Sequence, residues 1–265
     1  GVGTKLEVLM EYDQLEIAGK DLVGMNVNDI LTTGGDPVMF LDYVGVGQID
    51  KVKITRVIAG MVEHLESCGC ILAGGETAEM PGVVPDGVIE LSGFCIGVAE
   101  KPDLVDPTRI EIGDVLLGFA SDGFHANGWS LVRRILAAKP GLVSDEEMLP
   151  LLAPTKLYHE EVGGLRAAGV DIKAMAHITG GGLPENLERL LGENGADIAI
   201  PEWTTGAIPK ILAHVETQEA VNTFNMGYGW VAIVPESDKE IALRVGGAEV
   251  IGTVTAEKGV RVTVG

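Results

Sequence analysis

Two hydrophobic periods alternate along this chain, and that alternation limits the folds open to it. From Asp50 to Ser67 the apolar residues Ile54, Val57, Ile58, Met61, Val62 and Leu65 recur at helical spacing. They predict an amphipathic helix. Lys20 to Thr33, nearly apolar all round, reads as a buried helix. Thr4 to Tyr12, Met39 to Val46, Ile71 to Ala73 and Val88 to Val98 read as strands. The second half repeats the pattern. Strands are predicted at Asp114–Ala120, Ala196–Ile200, Gly229–Val234, Glu249–Val254 and Val260–Val264. Helices are predicted at Asn127–Ala138, Leu157–Ala168, Leu183–Leu191 and Ser237–Val245. Strands and helices mixed in both halves give an α/β or α+β class, two domains of mixed sheets covered by helices. The acidic, proline-bearing stretch "EKPDLVDPTRIEIGD" puts the boundary near Pro102–Pro107, hence domains 1–103 and 104–265.

With 265 residues, of which 46% are hydrophobic, both domains can bury a core. The net charge of −20 argues against DNA, RNA or an anionic membrane as partner, because phosphate surfaces call for Lys and Arg. Three cysteines, Cys68, Cys70 and Cys95, form neither an even set nor a zinc spacing. With no signal peptide, they point to a reducing cytoplasm. The chain opens on Gly1 and not Met, which predicts further residues upstream. No apolar run is long enough to span a membrane.

Chemistry-bearing residues gather in glycine-rich segments. In "MNVNDIL", Asn26, Asn28 and Asp29 interrupt an apolar helix. Buried polar groups are costly unless paired, so they either cross-link neighbouring elements or present Asp29 to a metal ion or substrate amine. "AGGETAEMPG" follows a short strand and carries Glu76 and Glu79, read either as solvated acids of a tight turn or as Mg²⁺-type ligands. "ASDGFHANGW" holds Asp122, His125 and Asn127 where a helix starts, a place that offers unpaired N–H groups to an anion. "AHITGGGLPEN" repeats the theme with His177, Thr179 and three glycines before a helix. "FNMGYGW" adds an amide and aromatics at a turn. There is no Walker A loop, no dinucleotide fingerprint and no hydrolase triad signature. The residues suggest a nucleotide-phosphate enzyme without a P-loop.

Taken in order, "GVGTKL", "VNDIL", "FLDY", "GGETAEMPG", "GFCIGVAEK", "HANGWSLVR", "HITGGGLPENL" and "FNMGYGW" resemble the phosphoribosylformylglycinamidine cyclo-ligase family, the aminoimidazole ribonucleotide synthetases. The likeness runs along essentially the whole chain. A wider group of ATP-dependent enzymes, including thiamine-phosphate kinase, shares mainly the "ND" helix and the glycine loops. The resemblance implies ATP-driven closure of formylglycinamidine ribonucleotide to aminoimidazole ribonucleotide in purine synthesis, with ADP and phosphate released. It implies ATP and Mg²⁺, with K⁺ as a further cation. It also implies a homodimer in which the N-terminal domains pair into a β-barrel.

Carried onto this sequence, the resemblance makes Asp29 and Glu76 the ligands of Mg²⁺–ATP. Thr4, Lys5, Asn28 and Asn127 lie on the nucleotide side, Lys5 near the phosphates. Gly75, His125, Thr179, Gly180 and Gly181 line the substrate. His125, His177 and Asp29 are the catalytic candidates, with acid and base unassigned between the histidines. The family's acidic residue before "GVGTK" and its nucleotide-covering lysine segment would both precede Gly1. Two other readings stand beside this one. A kinase of the wider group would leave a phosphorylated product and no free phosphate, and a non-catalytic relative would turn over no ATP.

Overall fold

The computed structural model describes residues 1–265. Residues before Val98 build a three-stranded sheet and residues after Val115 a six-stranded one. In the first unit, α1 (Lys5–Glu11) and α2 (Leu15–Thr32) precede β1 (Asp36–Val46), and α3 (Lys51–Ser67) leads to β2 (Ile71–Glu79) and β3 (Ile89–Val98). The sheet order is β2-β1-β3, with β1 parallel to β2 and antiparallel to β3. Asp50 caps α3 by accepting from the Val52 and Lys53 amides, which satisfies two orphan N–H groups.

Helices α2 and α3 pack on one side of this sheet and cross at two glycines. A Cβ on Gly19 would overlap the Val57 carbonyl, and one on Gly60 the Glu16 carbonyl. Phe40, at the centre of β1, is fully buried beneath α2. The other side of the sheet is bare. It carries Leu41, Ile71, Phe94 and Ile96, of which Phe94 is 64% and Ile71 57% exposed.

The second unit runs β4 (Val115–Ala120), α4 (Trp129–Ala138), α5 (Asp145–Leu151), α6 (His159–Ala167), β5 (Ala174–His177), α7 (Gly182–Leu191) and β6 (Gly195–Ile200). It continues with α8 (Ile208–Leu212), α9 (Thr217–Thr223), β7 (Tyr228–Val234), α10 (Lys239–Ala242), β8 (Ala248–Thr255) and β9 (Gly259–Val264). The sheet order is β5-β7-β4-β8-β6-β9. Strands β5 and β7 are buried along their whole length, whereas β6 and β8 mix buried with more exposed residues and β9 has no fully buried one. Helix α7 lies against β5, β6 and β9, and α2 reaches across from the first unit to touch β5.

Several expectations change. Thr4–Tyr12 is not a strand: Lys5, Leu6, Val8 and Leu9 are buried at helical spacing in α1. Its Leu6, Val8 and Met10 also fit period two, so so short a run was ambiguous. The "GGETAE" segment is not a loop but the continuation of β2, hydrogen-bonded to β1 as far as Val46↔Glu79. A bulge at Phe40/Leu41 absorbs one residue there. The helix predicted at Ser237–Val245 shrinks to a 3₁₀ turn, Glu236–Asp238, and α10. The helix predicted from Leu157 starts at His159, because 153–158 forms no regular secondary structure. Helices α5, α8 and α9 and strand β5 were not anticipated; all are eight residues or shorter.

Candidate functional site

Helix α2 brings the first unit's polar residues onto one stripe. Asp21, Gly24 and Asn28 are three and then four residues apart, so they share a face. That face meets the irregular segment 153–158, "APTKLY", of the second unit. Asp21 Oδ1 accepts from the Thr155 amide at 2.7 Å and from Thr155 Oγ1 at 2.8 Å. A Cβ on Gly24 would overlap the Thr155 side chain and carbonyl, so a helix glycine lets the segment lie against α2. Asn28 Nδ2 donates to the Lys156 carbonyl at 2.8 Å, and its Oδ1 accepts from the Tyr158 amide at 3.2 Å. The side-chain amide thus pairs with this backbone as a neighbouring strand would.

The same bonds fix a histidine. With its Oδ1 taken by an N–H donor, Asn28 turns Nδ2 toward His177 Nε2, 3.4 Å away. His177 Nε2 therefore accepts, and its Nδ1–H donates to Asp29 Oδ1 at 3.1 Å. His177 ends β5 with its side chain 1% exposed, while Asp29 is 67% exposed. A buried imidazole thus holds a carboxylate that faces solvent.

His125 stands on the other side of the segment. Its Nε2 accepts from the Asp122 amide at 3.3 Å and the Lys156 amide at 3.4 Å, which leaves the proton on Nδ1. That Nδ1 is buried without a partner. Burial, with the neighbouring His177, Lys5 and Lys156, holds His125 well below the ordinary histidine pKa, so the ring stays neutral. Its φ of +57° is held by the Trp129 indole, which donates to the His125 carbonyl at 2.8 Å. Gly229 is the floor: a Cβ there would overlap both the Tyr158 hydroxyl and the His125 ring. Tyr158 stacks on Trp230 and donates to the Ala120 carbonyl at 3.0 Å. Burial pushes its phenol well above the ordinary range, and the charges of Asp122 and Glu161 add to the shift.

The anticipated residues separate into groups. Asn28, Asp29, His125 and His177 come together. Thr179, Gly180 and Gly181 come just after His177 and Ile178, and buried Asn186 stitches their turn by donating to the Gly182 carbonyl at 2.7 Å and the Gly180 carbonyl at 3.2 Å. Asn127 lies beside α2, its Nδ2 3.7 Å from Met25 Sδ. Thr4 meets Ser130 across the domains at 3.0 Å. Lys5, expected near phosphates, is wholly buried: its Nζ sits 2.8 Å from Asp21 Oδ2 and donates to the Ala153 carbonyl at 2.8 Å. Gly75 makes room for Asp42 inside the sheet, and Glu76 beside it points to the bare face. Asp29 lies on the helix side, so the two carboxylates do not converge within one chain. His125, expected at the substrate, has no exposed surface.

Asp21, Lys156, Tyr158, Gly229 and Trp230 were missed. Asp21 could have been found as the one carboxylate seven residues before Asn28, on the same stripe of an apolar helix. No three of His, Cys, Asp and Glu converge to hold a metal ion alone. The single exposed carboxylate of Asp29 fits a Mg²⁺ whose other ligands are waters and nucleotide phosphates.

The AIR synthase related protein N-terminal domain matches residues 1–99, and the corresponding C-terminal domain residues 111–265. A phosphoribosylformylglycinamidine cyclo-ligase of Thermosynechococcus vestitus is 42% identical over 250 residues, 89% of this chain and 72% of that protein. One of Synechococcus sp. (strain JA-2-3B'a(2-13)) is 43% identical over 273 residues, 97% of this chain and 76% of that protein. Among solved structures, the hydrogenase maturation protein HypE in complex with ATP aligns at TM-score 0.72 and 20% identity, covering 93% of this chain and 76% of that one. Thiamine-monophosphate kinase from Stenotrophomonas maltophilia K279a aligns at TM-score 0.72 and 16% identity, covering 94% of this chain and 78% of that one. Those two likenesses concern the fold; the sequence matches across both domains show that the chain belongs to the AIR synthase family, alongside the phosphoribosylformylglycinamidine cyclo-ligases.

Proposed function

We propose that this chain closes the imidazole ring of aminoimidazole ribonucleotide from formylglycinamidine ribonucleotide at the expense of ATP. The observation that carries the reading is identity of 42–44% to cyclo-ligases over both domains. An amide oxygen is a poor leaving group. Transfer of the γ-phosphoryl group of ATP to the formamide oxygen makes it a good one. A nitrogen of the same substrate then attacks that carbon, the C–O bond breaks, and inorganic phosphate leaves. The nitrogen's proton passes to solvent or to a nearby base. The products are ADP, phosphate and the imidazole ribonucleotide.

Such chemistry asks the protein for positioning and charge neutralisation more than for covalent help. Mg²⁺ on the nucleotide would neutralise phosphate charge beside Asp29. Behind it, the His177 Nδ1–H holds the Asp29 carboxylate in one orientation, and Asn28 sets the His177 tautomer. Thr179, Gly180 and Gly181 line the substrate, their turn ending at the N-terminus of α7. His125 holds the 122–125 turn and the 153–158 segment from within.

The domains are read as 1–103 and 104–265. The bare face of the small sheet, with Leu41, Ile71, Phe94 and Ile96, is the surface on which two copies pair into a barrel. Glu76, on that face, then lies at the pair's interface and joins a site only there. The enzyme works in the cytoplasm. The test is ADP release with Mg²⁺–ATP, with and without formylglycinamidine ribonucleotide, following aminoimidazole ribonucleotide in parallel. Substrate-dependent ADP release matched one for one by the imidazole product is expected. ADP release indifferent to that substrate would move the kinase reading ahead.

A further inference from the structure

One buried charge in this molecule has no part in the chemistry above, yet it grips the segment on which the site is hung. Asp21 and Lys5 are both fully buried, 2.8 Å apart. Burial pulls the Lys5 pKa down, and Asp21 opposes that. Charges so deeply buried are expensive unless paired, and beyond its ion pair with Lys5 the Asp21 Oδ2 atom accepts no hydrogen bond. Here the bonds all run to one stretch of chain. Lys5 donates to the Ala153 carbonyl, and Asp21 accepts twice from Thr155. No secondary structure holds 153–158, so these bonds set its course.

What that stretch does next is the point. One residue beyond Thr155, the Lys156 amide donates to His125 Nε2, and the Lys156 carbonyl accepts from Asn28. The Tyr158 amide then fixes Asn28 Oδ1, and Asn28 Nδ2 faces His177 Nε2. One stretch of backbone therefore bears on the tautomer of two histidines, sharing His125 Nε2 with the Asp122 amide and reaching His177 through Asn28, which acts together with Asp29. Gly24 allows the approach, since any side chain there would push Thr155 away.

We propose that Asp21, bonded to Thr155 and Lys5, is a positioning residue that locks segment 153–158 in register and so fixes the tautomers of His125 and His177. The role in turnover rests on the cyclo-ligase reading; the effect on the imidazoles does not. Thr155→Val removes the hydroxyl bond to Asp21 and keeps the shape, the backbone bond and the Lys5–Asp21 pair. Thr155→Ser restores the hydroxyl.

The test combines turnover with long-range ¹⁵N–¹H spectra of the full chain, whose five histidines are resolvable. In the wild type, His125 and His177 are each expected with the proton on Nδ1 and Nε2 accepting. In Thr155→Val both imidazoles lose the single-tautomer signature. The value of kcat falls roughly ten- to a hundredfold, the scale of a displaced reacting group, with a smaller change in KM. Thr155→Ser recovers both. Unchanged imidazole signals in folded Thr155→Val overturn the proposal, as does a changed signature with full turnover. Should Thr155→Val fail to fold, the charge-free pair Asp21→Asn with Lys5→Met is read by the same two signals. If the wild type does not turn over this substrate, the function assigned above fails, and the spectra still decide the positioning role.

Discussion

At the scale of single residues, exposure separates the group that meets ligand from those that hold it. Asp29 is exposed and His177 is not, so Asp29→Asn changes the electrostatics of the site and little of the packing. We expect turnover to fall on the order of a hundredfold, as when one preorganised charge is removed, with the melting temperature nearly unchanged; steady-state kinetics and calorimetry check this together. His125 gives the opposite case. Burial keeps its pKa well below the ordinary histidine value, and burial likewise lowers that of His64. The unfolded chain takes up protons near the ordinary value that the native state refuses. Stability is therefore full above that range and declines as pH falls through it. The denaturant midpoint should drop between roughly pH 7 and pH 5, and His125→Gln should flatten that slope. The sequence pointed to His125 and His177 through their glycine-rich surroundings. It could not rank them, because burial comes from Tyr158, Lys156 and Trp230, which lie far away along the chain.

At the scale of elements, long amphipathic helices were legible and short or glycine-rich ones were not. α3 announced itself by six apolar residues on one stripe, and the structure adds its Asp50 cap. β2 did not, because Gly74 and Gly75 carry no strand propensity and its pairing with β1 is decided by tertiary contact. The same property hid the 153–158 segment, which has no period of its own and is held by side chains of α1 and α2 and by His125. Glycine at the α2–α3 crossing makes a second prediction. A methyl at Gly60 would drive into the Glu16 carbonyl, a contact with backbone that cannot swing aside. Gly60→Ala should destabilise the fold by about 1–3 kcal/mol, read as a lowered urea midpoint. Gly163→Ala, where a Cβ meets nothing, should not.

At the scale of the whole molecule, two faces of the small sheet have different fates. One is covered by α2 and α3; the other leaves Phe94 and Ile71 more than half exposed. A sheet with one bare apolar face is incomplete as a monomer. Light scattering should find a dimer, and Phe94→Glu should shift it to monomer while the isolated subunit keeps its far-ultraviolet spectrum. A monomeric wild type would remove the barrel from the proposal above. Between the two units, the site's bonds span long stretches of chain: Asn28 to Lys156 closes 128 residues and Asp29 to His177 closes 148. Closing such loops is slow and entropically costly, and it rewards the chain only after both halves have their own shape. Refolding should therefore show two clocks. Helix signal returns first, and the histidine–carboxylate pairing returns last, so activity is a late checkpoint on the assembly of the entire chain.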